Sequence, residues 1–283
     1  MVKSSHFWTT KTGVVNLFLI GVAVLAVCPF LVMAFSGFKT GGEFTSNPSG
    51  VPLHPTLGNF AQLFTGQSGA LMWRGMLNSV LVTAPYTVLT VLFCCLAGYA
   101  FAKYEFKGKN VIFTLLIASM LVPAEVNLPI LYLGFSKIGW LNSYQVQILP
   151  GTASVLGMFM ARQFMSGLPN EVLEAARIDG AGHWRTFWSI AMPMSAPVVG
   201  AIAILMALNK WNDYVWPRVL VSNPAHEPFL VLLPQLSTGV GGFIIYYEVL
   251  LAGATVITLP MLILFLRFQE KLMNGTTVGA VRG

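Results

Sequence analysis

Glu174-Ala175-Ala176-Arg177-Ile178-Asp179-Gly180-Ala181, continued by Phe187, Ile190, Met192-Pro193 and Pro197, is a short, polar, glycine-broken insert between two apolar runs of membrane-spanning length. Leu168-Pro169-Asn170 precedes it. Asn170 is expected to cap a helix whose first turn carries Glu171 and Glu174, where the helix dipole favours acidic side chains. Gly180 and Gly182 are expected to break that helix after Asp179. A second short helix is predicted from His183 to Ala191, with Trp184, Phe187, Trp188 and Ala191 on one face at i, i+3, i+4 and i+7 spacing. Pro193 is expected to end it. Two short helices joined by glycines form a compact, rigid knob that can pass a partner's movement into membrane helices. The plainer reading is an amphipathic connector lying on the membrane surface.

Working outward, the 283 residues are 55% hydrophobic and only 9% charged. Soluble domains carry about 25% charged residues, so this chain cannot cover a water-facing surface and reads as a polytopic membrane protein. Six runs reach membrane-spanning length, near 14–35, 76–102, 111–135, 146–164, 195–217 and 248–268. The fourth is interrupted by Pro150, Gly151 and Gly157. Helices satisfy their own backbone in lipid, and these runs exceed barrel-strand length, so the expected fold is all-α with six transmembrane helices. The first run is too long for a signal-peptide core and is read as a retained helix.

The net charge of +6 does not gather into a basic stripe, so nucleic acid is not an expected partner. With the N-terminus inside, Lys39, Arg74, Lys137, Lys210 and Arg218 fall outside, and the other 11 of the 16 lysines and arginines fall in the cytoplasm. That bias predicts an N-in, C-in topology with the Glu174 insert in the cytoplasm. Residues 37–73 read as an extended external loop. Residues 221–247 hold Pro224, Pro228, Pro234 and Gly239-Val240-Gly241-Gly242 around an apolar 229–233 piece, expected to form a short re-entrant or surface element. Cys28, Cys94 and Cys95 lie in apolar segments and read as small buried residues rather than a disulfide or metal site.

The insert resembles the Glu-Ala-Ala loop of permease subunits in bacterial ABC importers, where Glu-Ala-Ala is followed by Gly, nine residues and Ile-x-Leu-Pro. Gly180, Ile190 and Pro193 fall at those spacings, with Met192 in place of the usual Leu. Asn78-Ser79, the run Gly98-Tyr99-Ala100-Phe101-Ala102-Lys103 and the run Trp211-Asn212-Asp213-Tyr214-Val215-Trp216-Pro217 are similar to the carbohydrate branch, typified by the second membrane subunit of the maltose importer. The C-terminal Asn274-to-Gly283 stretch resembles that subunit's Gly-rich tail, with Arg282 where Lys is common. The resemblance spans roughly 14–283. It implies a type I ABC importer permease fold: a first helix and external loop over 1–72, a permease core over 73–268 with the coupling loop at 165–192, and a cytoplasmic tail over 269–283.

The same resemblance implies that Glu174, Ala175, Ala176, Asp179, Gly180 and Ala181 meet an ATPase, with Gly279 and Arg282 of the tail reaching the same partner. The implied assembly has a second permease in a heterodimer, an ATPase dimer holding ATP-Mg and an extracytoplasmic solute-binding protein, all at a bacterial inner membrane. No cofactor is expected on this chain itself, because it has no Gly-x-x-x-x-Gly-Lys-Ser/Thr. No catalytic residues are identified: His6, His54, His183 and His226 are scattered, and no nucleophile–base pair or metal-ligand spacing exists.

Intramembrane polar groups are costly and so suggest roles. Glu125 and Asn127 lie between Pro123 and Pro129 in the third run, either lining a solute pathway or, for Glu125, pairing with another helix. Asn209 and Asp213 are placed on one face of the fifth run, and Lys210 can pair with Asp213 at i, i+3. Trp211, Tyr214 and Trp216 read as interfacial belt residues or sugar-stacking aromatics. An ion-gradient-driven transporter using Glu125 and Asp213 is the alternative, although the broken-helix repeats it would carry are not evident.

Overall fold

The computed structural model describes residues 10–238 and 244–277, and among these the elements are helical apart from one isolated bridge between Thr238 and Ile245. The chain divides into two compact units, Met1–Ala70 with Leu233–Thr258, and Leu71–Leu232 with Leu259–Gly283.

In the first unit, Thr10–Gly37 forms one apolar helix whose membrane-length part, Gly13–Gly37, buries nothing along its most apolar stretch. Cys28 sits exposed on it, so the expected burial of all three cysteines holds only for Cys94 and Cys95. At the helix end, a methyl group on Gly37 would lie 2.8 Å from Ala252 Cα, so the glycine permits backbone-to-backbone contact. The segment after it is not an extended loop. It folds into the helices Gly41–Ser46 and Gly58–Phe64 around fully buried Lys39. Lys39 Nζ donates to the carbonyls of Asn47 at 2.6 Å and Pro48 at 3.1 Å, and Asn59 Nδ2 donates to those of Gly37 and Lys39 at 2.8 and 2.7 Å. A buried ammonium is tolerated because carbonyls replace its water.

In the second unit, the long helix Gly66–Lys103 contributes most of its length, starting well before the expected residue 76. Asn78 and Ser79 are therefore buried mid-helix, not at its opening. Asn78 Nδ2 donates to the carbonyls of Ala225 and Glu227 at 3.1 and 2.9 Å, and Ser79 Oγ accepts from Phe229 N at 3.0 Å. Those bonds satisfy the backbone leading into the Phe229–Leu236 helix, whose Phe229, Val231 and Leu232 are buried. The apolar 229–233 piece of the segment expected as a re-entrant or surface element is thus mostly buried, while 222–224 and 244–247 are exposed; Gly239 to Gly242 lie outside the described residues.

The core of this unit gathers Tyr86, Cys94, Tyr99, Met165, Phe187 and Ile202. Small residues let its helices touch: a methyl on Gly98 would meet Arg162 N at 2.8 Å, and one on Gly157 would meet Cys94 Sγ at 2.6 Å and Ile202 Cγ2 at 3.4 Å. Between apolar helices in lipid, such close packing supplies the attraction that water-driven burial cannot.

Six uninterrupted spans are not what the apolar runs become. Among the described residues three helices are long and apolar enough to cross a membrane, Gly13–Gly37, Ser68–Lys103 and Tyr247–Phe268, or up to five if each of two bent pairs is one span. The third run splits into Lys109–Ser119 and Ala124–Lys137 at 89°. Pro123 takes an extended ψ of 134° before the turn Ala124–Asn127, and Pro129 opens the next helix, which is how proline redirects a chain. The fourth run breaks between Tyr144–Ile148 and Val155–Ser166, with Gly151 at φ +83°. The fifth, Ala196–Trp211, follows His183–Met194 at 80°. The last helix, Tyr247–Thr277, continues past 268 into the segment read as a tail, and Gly279 and Arg282 lie outside the described residues.

Candidate functional site

The insert folds as a helix Asn170–Ile178, a glycine turn and a second helical stretch, His183–Met194. Pro169, not Asn170, is the N-cap, with no side-chain bond to the helix. Asn170 is instead the first helical residue, and its Oδ1 accepts from Lys103 Nζ at 2.7 Å. The same ammonium donates to the Leu168 carbonyl at 2.7 Å, fastening the insert to the end of the Gly66–Lys103 helix. Tyr104 Oη lies 2.8 Å from His183 Nδ1, and the Arg177 guanidinium sits 6.0 Å from the Tyr104 ring centre. Lys103, Tyr104 and His183 were missed as site residues, since nothing local in their sequence marks a contact spanning dozens of positions.

The glycine turn closes as expected. The Gly180 amide donates to the Arg177 carbonyl at 3.0 Å and the Ala181 amide to the Ala176 carbonyl at 2.9 Å, with Gly180 at φ +81°. This paired closure satisfies carbonyls that a helix end would leave open.

The second stretch departs from the expectation. It runs through Pro193 to Met194 and turns at Ser195, because a proline in the first turn of a new segment lacks only an N–H that has no helical partner. Phe187–Ala191 is wound as a π-turn, which spoils the expected shared face. Phe187 and Ala191 are buried, while Trp184 is 67% and Trp188 49% exposed.

Of the six residues expected at the partner surface, Glu174, Ala175, Asp179 and Gly180 are exposed, Ala181 is half-buried, and Ala176 is buried. Ala176 and Leu173 face inward, and Leu173 joins the cluster holding Tyr99, Leu168 and Phe187. Burying Leu173 and Phe187 contributes about 1.5–3 kcal/mol each. What remains outward is an acidic and aliphatic ridge, including Ile178 at 86% exposure, beside two tryptophans. Large apolar side chains held on a rigid, hydrogen-bonded knob suit docking into a groove.

The other candidate residues meet elsewhere. Glu125, Asn127, Asn209 and Asp213 all line one cavity of about 870 Å³. Its walls come from the three interruptions in the apolar runs: Ala124–Asn127, the turn with Pro150 and Gly151, and Asn212–Trp216. Non-helical backbone at membrane depth is tolerated where it lines such a space. Asp213 lies beyond the helix Ala196–Trp211, not on a shared face with Asn209. Its Oδ2 pairs with Lys210 Nζ at 2.9 Å while Oδ1 accepts from Trp216 N at 3.3 Å. Glu125 is exposed, lines the cavity and has no ion-pair partner among the described residues. Trp211 is buried, leaving Tyr214 as the exposed aromatic at this end. Gln147, which also lines the cavity, was not singled out from sequence.

Residues 94–276 match the family described as binding-protein-dependent transport system inner membrane component. The chain is 35% identical over 265 residues to the arabinooligosaccharides transport system permease protein of Halalkalibacterium halodurans, covering 93% of both. It is 31% identical to the diacetylchitobiose uptake system permease protein of Streptomyces coelicolor, over 92% of this chain and 85% of that protein. A chain in the crystal structure of a bacterial ABC transporter involved in import of the acidic polysaccharide alginate shares the fold, with TM-score 0.79, 20% identity and coverage of 94% and 99%.

Proposed function

The chain belongs to the family of binding-protein-dependent transport system inner membrane components, and from that membership we propose that it is a membrane-spanning permease subunit of an ATP-driven carbohydrate importer. The solute is an oligosaccharide or related sugar, a reading supported by relatives named for arabinooligosaccharide and diacetylchitobiose uptake. The partners are a second permease, a pair of ATPase subunits that bind ATP-Mg, and an extracytoplasmic solute-binding protein.

The chain crosses the inner membrane six times, with both termini in the cytoplasm. The crossings are the three long helices, the bent 109–137 segment, the broken 144–166 segment and Ala196–Trp211. Residues 1–72, 73–268 and 269–283 act as entry helix with external segment, permease core and cytoplasmic tail. Gly279 and Arg282 of the tail reach the ATPase. Glu174, Ala175, Asp179, Gly180 and Ala181 form the docking ridge of the 165–192 loop, and Ala176 holds that ridge on the core.

The observation that carries this reading is the knob itself: exposed outward and rigid within, with His183–Met194 running at 80° into Ala196–Trp211. Closure of the ATPases on ATP draws this knob toward its counterpart. The knob turns Ala196–Trp211, whose far end lines the cavity, so the cavity alternates between faces with different solute affinity. The experiment is ATP-driven sugar uptake by the co-purified complex in proteoliposomes. Uptake that needs ATP and the ATPase is expected. Uptake that persists without the ATPase under an ion gradient would instead support a secondary transporter using Glu125 and Asp213.

A further inference from the structure

Arg162 stands one turn before the end of the helix Val155–Ser166, and Phe113 one turn after the start of the helix Lys109–Ser119. The guanidinium carbon lies 3.8 Å from the centre of the Phe113 ring, which fixes one face of the cation where the two helices meet. Phe113 in turn stacks on Phe159, with ring centres 6.3 Å apart. No hydrogen bond or ion pair joins the guanidinium to any described residue. Nε is buried without a partner, whereas the two Nη nitrogens are not buried. A part-exposed side chain thus holds a full charge and five N–H donors with no acceptor from the chain. A half-buried charge without a counter-charge is costly, which points to a partner that the chain does not supply.

The surroundings narrow what that partner is. Four residues of helical rise place Arg162 about 6 Å inside its helix end, a depth from which a long cationic side chain reaches lipid phosphates. The link into Lys109–Ser119 adds exposed Lys107, while Glu105 is paired with Lys109 at 2.8 Å, so no carboxylate on that link is free to offset Arg162. The helix Lys109–Ser119 buries no residue and exposes Val111, Ile112 and Leu115. A planar cation beside exposed apolar side chains matches a phosphate carried on acyl chains, and guanidinium binds phosphate through two N–H groups at once. A lipid with a net negative headgroup fits better than a zwitterionic one, whose own ammonium opposes the arginine.

We propose that the Nη edge of Arg162 holds the phosphate of an anionic phospholipid of the cytoplasmic leaflet, with the acyl chains lying along Val111 and Leu115. The leaflet rests on the N-in topology proposed above, which cysteine labelling of intact spheroplasts tests separately. Val155–Ser166 leads through Gly167, Leu168 and Pro169 into the knob helix Asn170–Ile178, so the lipid steadies the helix from which the knob hangs.

The test uses the assembled complex in phosphatidylcholine vesicles that carry a trace of photoactivatable phosphatidylglycerol or, in parallel, photoactivatable phosphatidylcholine. Crosslinks are mapped to residues 109–119 and 155–166 by peptide mass spectrometry. In wild type, labelling there by phosphatidylglycerol is expected to exceed labelling by phosphatidylcholine about fivefold. Arg162→Gln should remove that excess, whereas Lys137→Gln, the loss of a cation at an exposed position elsewhere, should keep it. If the Arg162→Gln complex does not assemble, Phe113→Leu takes its place: it keeps the charge, removes the ring beneath it and should lower the excess. Equal labelling by the two lipids in wild type, or an excess that neither substitution alters, overturns the proposal. Suppression of the excess by added inorganic phosphate assigns the site to free phosphate and overturns the lipid occupant. No excess in wild type, together with loss of the second permease from the Arg162→Gln complex, overturns it in favour of a carboxylate of that partner. ATP-driven sugar uptake is measured in the same vesicles, so uptake without a lipid preference strikes the lipid site and spares the importer reading.

Discussion

The Ala181 amide donates to the Ala176 carbonyl at 2.9 Å across Gly180, and the bond ties a buried residue to the edge of an exposed ridge. Because Ala176 is anchored in the core and Ala181 begins the turn to the second helix, this closure fixes where Asp179 and Gly180 stand relative to the membrane helices.

That turn requires φ +81° at Gly180, and no heavy atom lies within 4 Å of where a Cβ would sit. The constraint is backbone strain alone, not space. Gly180→Val is expected to destabilise the turn by about 1–3 kcal/mol, and Gly180→Ala by less. Both variants should insert into the membrane normally. ATPase co-purification and ATP-driven uptake should fall in the order wild type, Gly180→Ala, Gly180→Val; equal uptake by all three would reduce the loop to a connector.

Glu174 and Ala176 are two positions apart yet should respond in opposite ways. Glu174 is exposed, so Glu174→Lys should leave the melting temperature of the isolated subunit unchanged and weaken ATPase binding by at least about tenfold, through loss of interface charge pairing. Ala176 is buried, so Ala176→Leu should overpack the knob and cost about 1–3 kcal/mol of stability. Thermal melts of the purified subunit, set beside pull-down of the ATPase, separate the two effects. A lowered melting temperature for Glu174→Lys would count against its placement on the docking ridge.

Lys103 holds the insert by two bonds of 2.7 Å, to the Leu168 carbonyl and Asn170 Oδ1. Lys103→Met keeps the apolar stem and removes both, at a cost of about 1–2 kcal/mol in a partly solvated setting. The expected result is faster protease cleavage near residues 165–170 and slower uptake, with membrane insertion retained. Unchanged cleavage would mean the bond to Lys103 does not fasten the loop.

Topology is tested by single cysteines at two exposed positions, Lys107→Cys and Gly182→Cys. Cys94 and Cys95 are buried and do not compete, so only exposed Cys28 need be replaced first. An impermeant thiol reagent applied to intact spheroplasts should label neither new cysteine and should label both after lysis. Labelling before lysis would overturn the N-in arrangement drawn from the charge bias.

What was legible from sequence lay in local chemistry. Gly180 marked a left-handed turn, because the penalty for a side chain there is intrinsic to one residue. Pro150 and Gly151 marked the interruption of the fourth run, because a missing N–H or a positive φ acts on the neighbouring backbone alone, whereas the break at Pro123 was not read from sequence. The spacing from Glu174 to Pro193 marked the family, and low charge marked the membrane.

Tertiary structure alone decided which way things face. Hydropathy cannot separate Ala176, buried, from Ala175, exposed, or Phe187 from Trp188, since both members of each pair are apolar. In a membrane chain the ambiguity deepens, because lipid and protein core are equally apolar and no polar stripe labels the outside of a helix. Glu125, Gln147, Asn209 and Asp213 come from three separate runs, and only packing brings them around one cavity. Arg162 was invisible as a site residue for the same reason. What distinguishes it is a guanidinium seated over the Phe113 ring with no acceptor among the described residues, and that is a fact about neighbours brought together by folding rather than about the residue itself.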